Sequence, residues 1–197
     1  QFCGGGETSL QGIFFNPNIP TEECFISPMR GVAEGIVYAT KPLSYQGQLI
    51  DGFWIRFHEG KAVEWHAEQN NELLTKLIEM DEGSRYLGEC ALVPFDSPIN
   101  QTGLLFYNTL FDENACCHLA LGMGFADTIQ DFQNKTLDEC RKLGVNDSMI
   151  HEDFMIGSAD LAIDAVCEDG KLVVQREGGR TEALRCGEVT IRPTKTE

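Results

Sequence analysis

Residues 150–157 read "IHEDFMIG", which places His151, Glu152 and Asp153 in a row ahead of an apolar run that ends in glycine. On a strand, side chains alternate between faces, so His151 and Asp153 point one way and Glu152 the other. A neutral imidazole and a carboxylate two residues apart can grip one cation, or two neighbouring ones, from a rigid backbone. The plainer alternative is a histidine hydrogen-bonded to the aspartate beside it at a strand end.

The same grammar recurs. In "YLGECALVP", Glu89 sits inside a strand-like run, where a lone carboxylate is costly unless it is paired or bound to metal. In "DENACCHLALG", Glu113 falls in a turn and His118 in the strand that follows. Small Ala120 and Gly122 share the face of His118 and leave room beside its ring. In "NIPTEECF", Glu22 and Glu23 follow a proline, and Glu23 leads into apolar residues. Taken singly, each has an ordinary reading as a surface carboxylate, a satisfied core histidine or a helix cap. His58 and His66 fall in or near a polar hairpin and read as surface residues. Oxygen and imidazole donors suit zinc, cobalt, manganese or similar borderline divalent ions. Cys24, Cys90 and Cys117 face away from the neighbouring acidic residues and from His118; only Cys116 could share the face of His118, and all four read as core thiols.

The elements that must position these groups are mostly strands. Residues 32–40 and 49–57 carry the β-branched and aromatic bias of strands, and "HEGK" followed by "AVEWHA" signals a hairpin. Leu73, Leu74, Leu77 and Ile78 recur at helical spacing after an asparagine cap, which predicts a helix over 70–80. "YLGECALVPF" predicts a strand stopped by Pro94. "GLLFYNTLF" and "CCHLALGMGF" predict two strands around the turn "DEN". "TLDECRKLG" predicts a short helix closed by Gly144. "SMIHEDFMIG", "LAIDAVC" and "KLVVQRE" predict strands, the last two joined by "EDGK". Strands outnumber helices with no βαβ alternation, so the expected class is α+β, with a strand-rich mixed or mostly antiparallel sheet and a few helices.

Composition limits the partners. The 197 residues are 42% hydrophobic, enough for a real core. Against 15 Lys and Arg stand 31 Asp and Glu, for a net charge of −16, and no basic cluster interrupts the balance. That argues against a nucleic-acid partner and favours cations or the ammonium group of a substrate. No apolar stretch approaches the roughly 18–20 residues of a membrane span. Eight cysteines without a C-x-x-C pair read as free thiols in a reducing compartment. The opening "QFCGGGETSLQG" lacks both an initiator methionine and the features of a secretory signal, and suggests a piece of a longer protein.

Several long phrases, in order, carry a more specific signal: "NPNIPTEE", "ATKPLSYQG", "GLLFYNTLFDENACCHLALG" and "HEDFMIGSAD". Together they resemble the thermophilic aminopeptidase family of metallopeptidases, of the aminopeptidase T and aminopeptidase S type, across most of the chain. The resemblance implies that residues 1–197 form one metal-binding catalytic domain, and that the amino-terminal α/β domain of the family is absent. It implies two divalent metal ions that activate a water to cleave amino-terminal residues from peptides, in a cytoplasmic homodimer. Carried onto this sequence, Glu23, Glu89, His118, His151 and Asp153 match the family's metal ligands, with Glu89 in the bridging position. Glu113 falls where the family has a further acidic residue, a ligand or proton carrier, so Glu89 and Glu113 are the candidate catalytic carboxylates. Lys41 and Tyr45 are candidate substrate contacts.

One departure stands out. The family pattern has a tyrosine shortly after "HLALG", where its hydroxyl would stabilise the tetrahedral intermediate; here Phe125 occupies that place. Tyr45 and Tyr107 are the candidate substitutes. The alternative function is therefore a metal-binding homologue with little turnover, acting as a peptide-binding or assembly module.

Overall fold

A computed structural model describes residues 1–4, 6–9, 11–16, 23–159, 161–166, 172–176, 180–181 and 188–192. The "EDGK" turn, Glu22, Cys167 and Cys186 lie outside the described residues. Among the described residues strands dominate and every pairing is antiparallel, so the class is α+β, as the sequence predicts. In chain order the strands are β1 (Cys3–Gly4), β2 (Glu7–Thr8), β3 (Phe14–Phe15), β4 (Cys24–Ile26), β5 (Gly35–Tyr38), β6 (Leu43–Tyr45), β7 (Gln48–His58), β8 (Lys61–Gln69), β9 (Leu87–Leu92), β10 (His118–Gly122), β11 (His151–Met155), β12 (Ala162–Val166), β13 (Leu172–Arg176), β14 (Arg180–Thr181) and β15 (Glu188–Arg192). The short helices are α1 (Asn71–Ile78), α2 (Pro98–Gln101), α3 (Thr109–Asp112) and α4 (Leu137–Lys142).

The sheet that matters for chemistry has the order β1-β4-β9-β10-β11. Its strands β9 and β10 are buried throughout. Their alternation sorts two faces. Cys90, Leu92, Leu119, Leu121 and Phe154 join the main core with Phe53, Ile55, Leu74 and Leu77. The opposite face carries Glu89, His118, Ala120 and Asp153. Register sets their neighbours: Ala120 lies opposite Glu89 on one side and Asp153 on the other, and directly opposed residues share a face. Gly122 pairs with His151, so that face continues one step further.

The support behind this sheet is a long hairpin, β7 and β8. Its turn is Glu59 (φ 49°) and Gly60 (φ 75°). Two consecutive positive φ values are the twist-matched hairpin turn that the sequence "HEGK" signals. Helix α1 packs on the hairpin through Leu73, Leu74, Leu77 and Ile78, all buried, and Trp65 Nε1 donates to Thr75 Oγ1 at 2.9 Å. Asn70 precedes the helix as predicted, but its side chain does not cap it. Asn70 adopts φ 59°, and its Nδ2 donates instead to the Leu49 carbonyl at 2.6 Å. Helix α4 begins on a full capping box between Thr136 and Glu139, and Gly144 follows at φ 106°.

One predicted strand is absent. "GLLFYNTLF" forms a loop, then α3, which runs on into a 3-10 turn at Glu113–Ala115. Polar side chains captured this backbone locally. Asn108 Oδ1 accepts from Leu110 N at 3.2 Å, and the buried Asp112 carboxylate accepts from Phe106 N at 2.7 Å and Asn108 N at 3.0 Å. Such side chain to backbone bonds compete directly with a strand ladder. The residues 32–40 stretch is likewise strand only over Gly35–Tyr38.

Candidate metal centre

Five side chains from four segments meet on the open face of the sheet. Glu89 comes from β9, His118 from β10, His151 and Asp153 from β11, and Glu23 from the residue just before β4. Buried Ala120, in register between Glu89 and Asp153, offers only a methyl group there, and this leaves space for the larger groups around it.

Both histidines present Nε2 to the cluster because Nδ1 is used elsewhere. His118 Nδ1 lies 3.1 Å from the Cys116 carbonyl, and His151 Nδ1 lies 2.6 Å from the Met123 carbonyl. An imidazole whose Nδ1–H donates to a carbonyl is fixed as an Nε2 ligand. His118 Nε2 stands 3.6 Å from Glu23 Oε2 and 3.9 Å from Asp153 Oδ1. His151 Nε2 stands 3.0 Å from Glu89 Oε2 and 3.5 Å from Asp153 Oδ1. Two groups of three emerge, Glu23–Glu89–His118 and Glu89–His151–Asp153, each with its donor atoms within 4.8 Å of one another. Glu89 belongs to both.

Glu113 joins them. The 3-10 turn after α3 carries its carboxyl to a hydrogen bond with Asp153. The position differs from the sequence expectation only in its element, a helical turn rather than a strand connection. Tyr45 lines a surface cleft with Gln46, Thr75, Lys76, Glu79 and Met80, none of them in the cluster. Lys41 follows Thr40, whose N–H donates to the Met155 carbonyl at 2.9 Å and whose hydroxyl donates to the Gly157 carbonyl at 2.7 Å. Lys41 is therefore placed beside the far end of β11. Tyr107, at φ 58°, is 66% exposed. Phe125 does reach the cluster. Its ring stands 4.8 Å from that of His151 and 5.3 Å from that of Phe25.

Four carboxyl groups and two imidazoles in a largely buried space are expensive unless their charge is compensated. The protonation pattern shows the strain. Burial pushes the Glu23 carboxyl up to about 7, and burial together with Asp153 pushes Glu113 up to about 9. Burial opposes the charging of His151, but its hydrogen bonds to Asp153 and Glu89 outweigh that and raise it to about 11. Burial works against the Asp153 carboxylate too, yet the His151 hydrogen bond and the two imidazoles hold it below its usual range. Glu23 Oε2 is buried without a hydrogen-bond partner, and buried Asp153 Oδ1 faces the two histidine Nε2 atoms at 3.5 and 3.9 Å. Buried carboxylate oxygens aimed at imidazole nitrogens are a donor set waiting for cations, and the residues fit a divalent metal.

The sequence carries no mark of the two carbonyls that orient the histidines, because any residue supplies a carbonyl. Nor did it assign Glu152, whose side chain leaves the cluster face and accepts from Thr109 Oγ1 at 3.3 Å. Burial raises the Glu152 carboxyl to about 7.

A strand-borne cluster with a shared carboxylate of this kind is a candidate metal centre. Comparison with known proteins supplies the family. The chain belongs to the thermophilic metalloprotease family (M29), whose model matches residues 1–180. It is 53% identical over 168 residues to aminopeptidase 2 of Geobacillus stearothermophilus, an alignment covering 85% of this chain and 41% of that protein. It is 48% identical over 177 residues to aminopeptidase T of Thermus aquaticus, covering 90% of this chain and 43% of that protein. The solved structure of wild-type AmpT from Thermus thermophilus superposes with a TM-score of 0.82 at 43% identity, covering 92% of this chain and 44% of that one. The chain thus spans less than half the length of these relatives.

Proposed function

We propose that this chain is the metal-binding catalytic domain of an aminopeptidase that removes amino-terminal residues from peptides with the help of two divalent metal ions. The observation that carries this reading is the pair of three-residue groups that share Glu89. Family membership and relatives named as aminopeptidases support the choice of reaction. One ion would be held by Glu23, Glu89 and His118, the other by Glu89, His151 and Asp153. Glu113 is the further acidic residue. Nitrogen and oxygen donors suit zinc, cobalt or manganese.

When bound, such ions supply an acidified water and polarise the scissile carbonyl. The chain's own groups do the rest. Glu113, buried and hydrogen-bonded to Asp153 at the edge of the cluster, is placed to pass a proton to the leaving amine. Glu89 holds its place through His151, and His151 through the Met123 carbonyl. Phe125 covers the ring of His151 and keeps water from that side. The acidic surroundings favour the ammonium group at a peptide's amino terminus.

Phe125 also favours the second reading, a metal-binding homologue of low turnover, because a phenyl ring donates no hydrogen bond to an oxyanion. The proposal extends to a cytoplasmic homodimer. The free thiols Cys3, Cys24, Cys90 and Cys140 suit a reducing compartment, and the exposed apolar residues Leu104, Phe106, Leu110 and Phe111 suit a covered surface.

The test is hydrolysis of leucine p-nitroanilide by the full-length, metal-loaded protein, before and after exhaustive chelation, with Glu89→Gln as control. Activity that needs metal and is lost in the variant supports the enzyme. Activity that survives chelation overturns the metal-dependent reading. Two ions bound with no turnover favours the binding module.

A further inference from the structure

Glu152 is the one ionisable residue of the "HED" run that points away from the cluster, yet it is half-buried and engaged. The sheet ends on β11, and α3 with its 3-10 extension packs against that strand. Asp112 and Glu113 both keep right-handed helical backbone angles, so residues 109–115 form one continuous helical segment. Thr109 and Glu113 are four residues apart on it and stack on one side, a single turn apart. Thr109 reaches Glu152, and Glu113 reaches Asp153. Adjacent strand residues face opposite ways. The helical segment therefore straddles the edge strand, bonded to one face through Thr109 and to the other through Glu113.

We propose that Glu152 is a positioning residue: by accepting the Thr109 hydroxyl it fixes the turn of helix that carries Glu113, and so sets where the Glu113 carboxyl stands at the metal centre. The inference rests on the metallopeptidase reading for its catalytic consequence, but the clamp itself is a property of the chain. Asp112 supplies the third fixture. Its buried carboxylate ties the preceding loop to the helix through Phe106 N and Asn108 N, and the buried Ser97 hydroxyl holds the far end by donating to the Asn114 and Ala115 carbonyls. The Thr109–Glu152 bond is the side-chain tie between the start of the segment and β11. Misplacing a carboxyl that acts on the substrate slows chemistry without weakening substrate binding.

The experiment uses full-length metal-loaded protein and four variants: Thr109→Val, Thr109→Ser, Glu152→Ala and Glu152→Gln. Val and Ala remove the bond, while Ser and Gln keep a donor and an acceptor. The expected result is a loss of roughly ten- to a hundredfold in kcat for Thr109→Val and Glu152→Ala, with KM and metal stoichiometry unchanged. Serine and glutamine should restore most of the rate. The Thr109→Val/Glu152→Ala double variant should be no slower than either single one, because both act through one bond. Amide exchange in metal-free protein gives a readout independent of activity: residues 109–115 exchange faster in Thr109→Val and regain protection in Thr109→Ser. Unchanged exchange there, or additive losses in the double variant, overturns the clamp. If the wild-type protein hydrolyses nothing, the enzymatic reading fails separately and exchange alone decides the clamp.

Discussion

His151 is held from both ends: its Nε2 lies 3.0 Å from Glu89 Oε2, and its Nδ1 donates to the Met123 carbonyl at 2.6 Å. The imidazole is thus aimed by the backbone at the carboxylate that both three-residue groups share. A cation entering between them would replace a charge-assisted hydrogen bond and leave the ring where it is. The backbone thus preorganises this ring as a member of the proposed ligand set.

The first prediction concerns that preorganisation. Crowded carboxylates weaken the metal-free fold, and bound cations relieve them, so added zinc, cobalt or manganese should raise the melting temperature. A ligand in hundredfold excess over its dissociation constant contributes about 2.7 kcal/mol. Glu89→Ala removes the shared ligand and should abolish most of that shift. Differential scanning calorimetry with and without each ion checks it, and an unchanged midpoint in the wild-type protein would remove the cluster from consideration as a metal site.

A second prediction uses Ala120. It is fully buried and in register between Glu89 and Asp153, so it sets the space available to the cluster. Ala120→Val places two extra methyl groups there. The cost of overpacking should be about 1–3 kcal/mol, and the bound metal measured by elemental analysis should fall well below the wild-type level. Circular dichroism at 20 °C would confirm that the sheet persists. Full metal occupancy in this variant would show that the space beside Ala120 is not the ion site.

Much of this was legible before any coordinates. Alternation alone separates His151 and Asp153 from Glu152, and an acidic residue inside "LGECAL" announces itself because burying it needs a reason. What strand alternation does not give is register. Glu89 and Asp153 face one another only because both pair with Ala120, and 31 residues separate Ala120 from Glu89 while 33 separate it from Asp153. The family resemblance supplied that convergence where spacing did not. Residues 103–111 read as a strand because Leu104, Leu105, Phe106 and Leu110 are apolar, although Leu104 and Leu110 are largely exposed. Asp112 and Asn108 decided the matter by bonding to the local backbone.

A third prediction follows from the ring contacts of Phe125. Phe125→Tyr keeps the packing on His151 and Phe25 and adds a hydroxyl beside the proposed site. If the chain turns over slowly for want of an oxyanion donor, kcat should rise by up to roughly 10²-fold, the worth of one such donor. Steady-state kinetics on leucine p-nitroanilide measure it, with the melting temperature as a control for packing. An unchanged kcat would mean that another group already supplies the donor.

The last prediction is a pH dependence away from the metal centre. Asp81 joins the exit of α1 to the residues just before β11. Its carboxylate accepts from Ser84 N at 2.8 Å, Ser148 Oγ at 2.9 Å and Met149 N at 2.6 Å. Burial opposes the charge, and these hydrogen bonds together more than offset it, so the carboxyl is held below its usual range. A depressed folded-state value means the unfolded chain binds the proton more readily. The stabilisation is therefore complete above the unfolded aspartate value, about 3.9, and is lost as the pH falls from there through the folded value. Asp81→Ala should cost about 1.5–3 kcal/mol at pH 7, the range for hydrogen bonds to a charged group. Near pH 3 the difference between wild type and variant should narrow. Urea unfolding at the two pH values checks both statements, and a gap of equal size at pH 7 and pH 3 would show that the charge on Asp81 does not carry the link between α1 and the strand bearing His151 and Asp153.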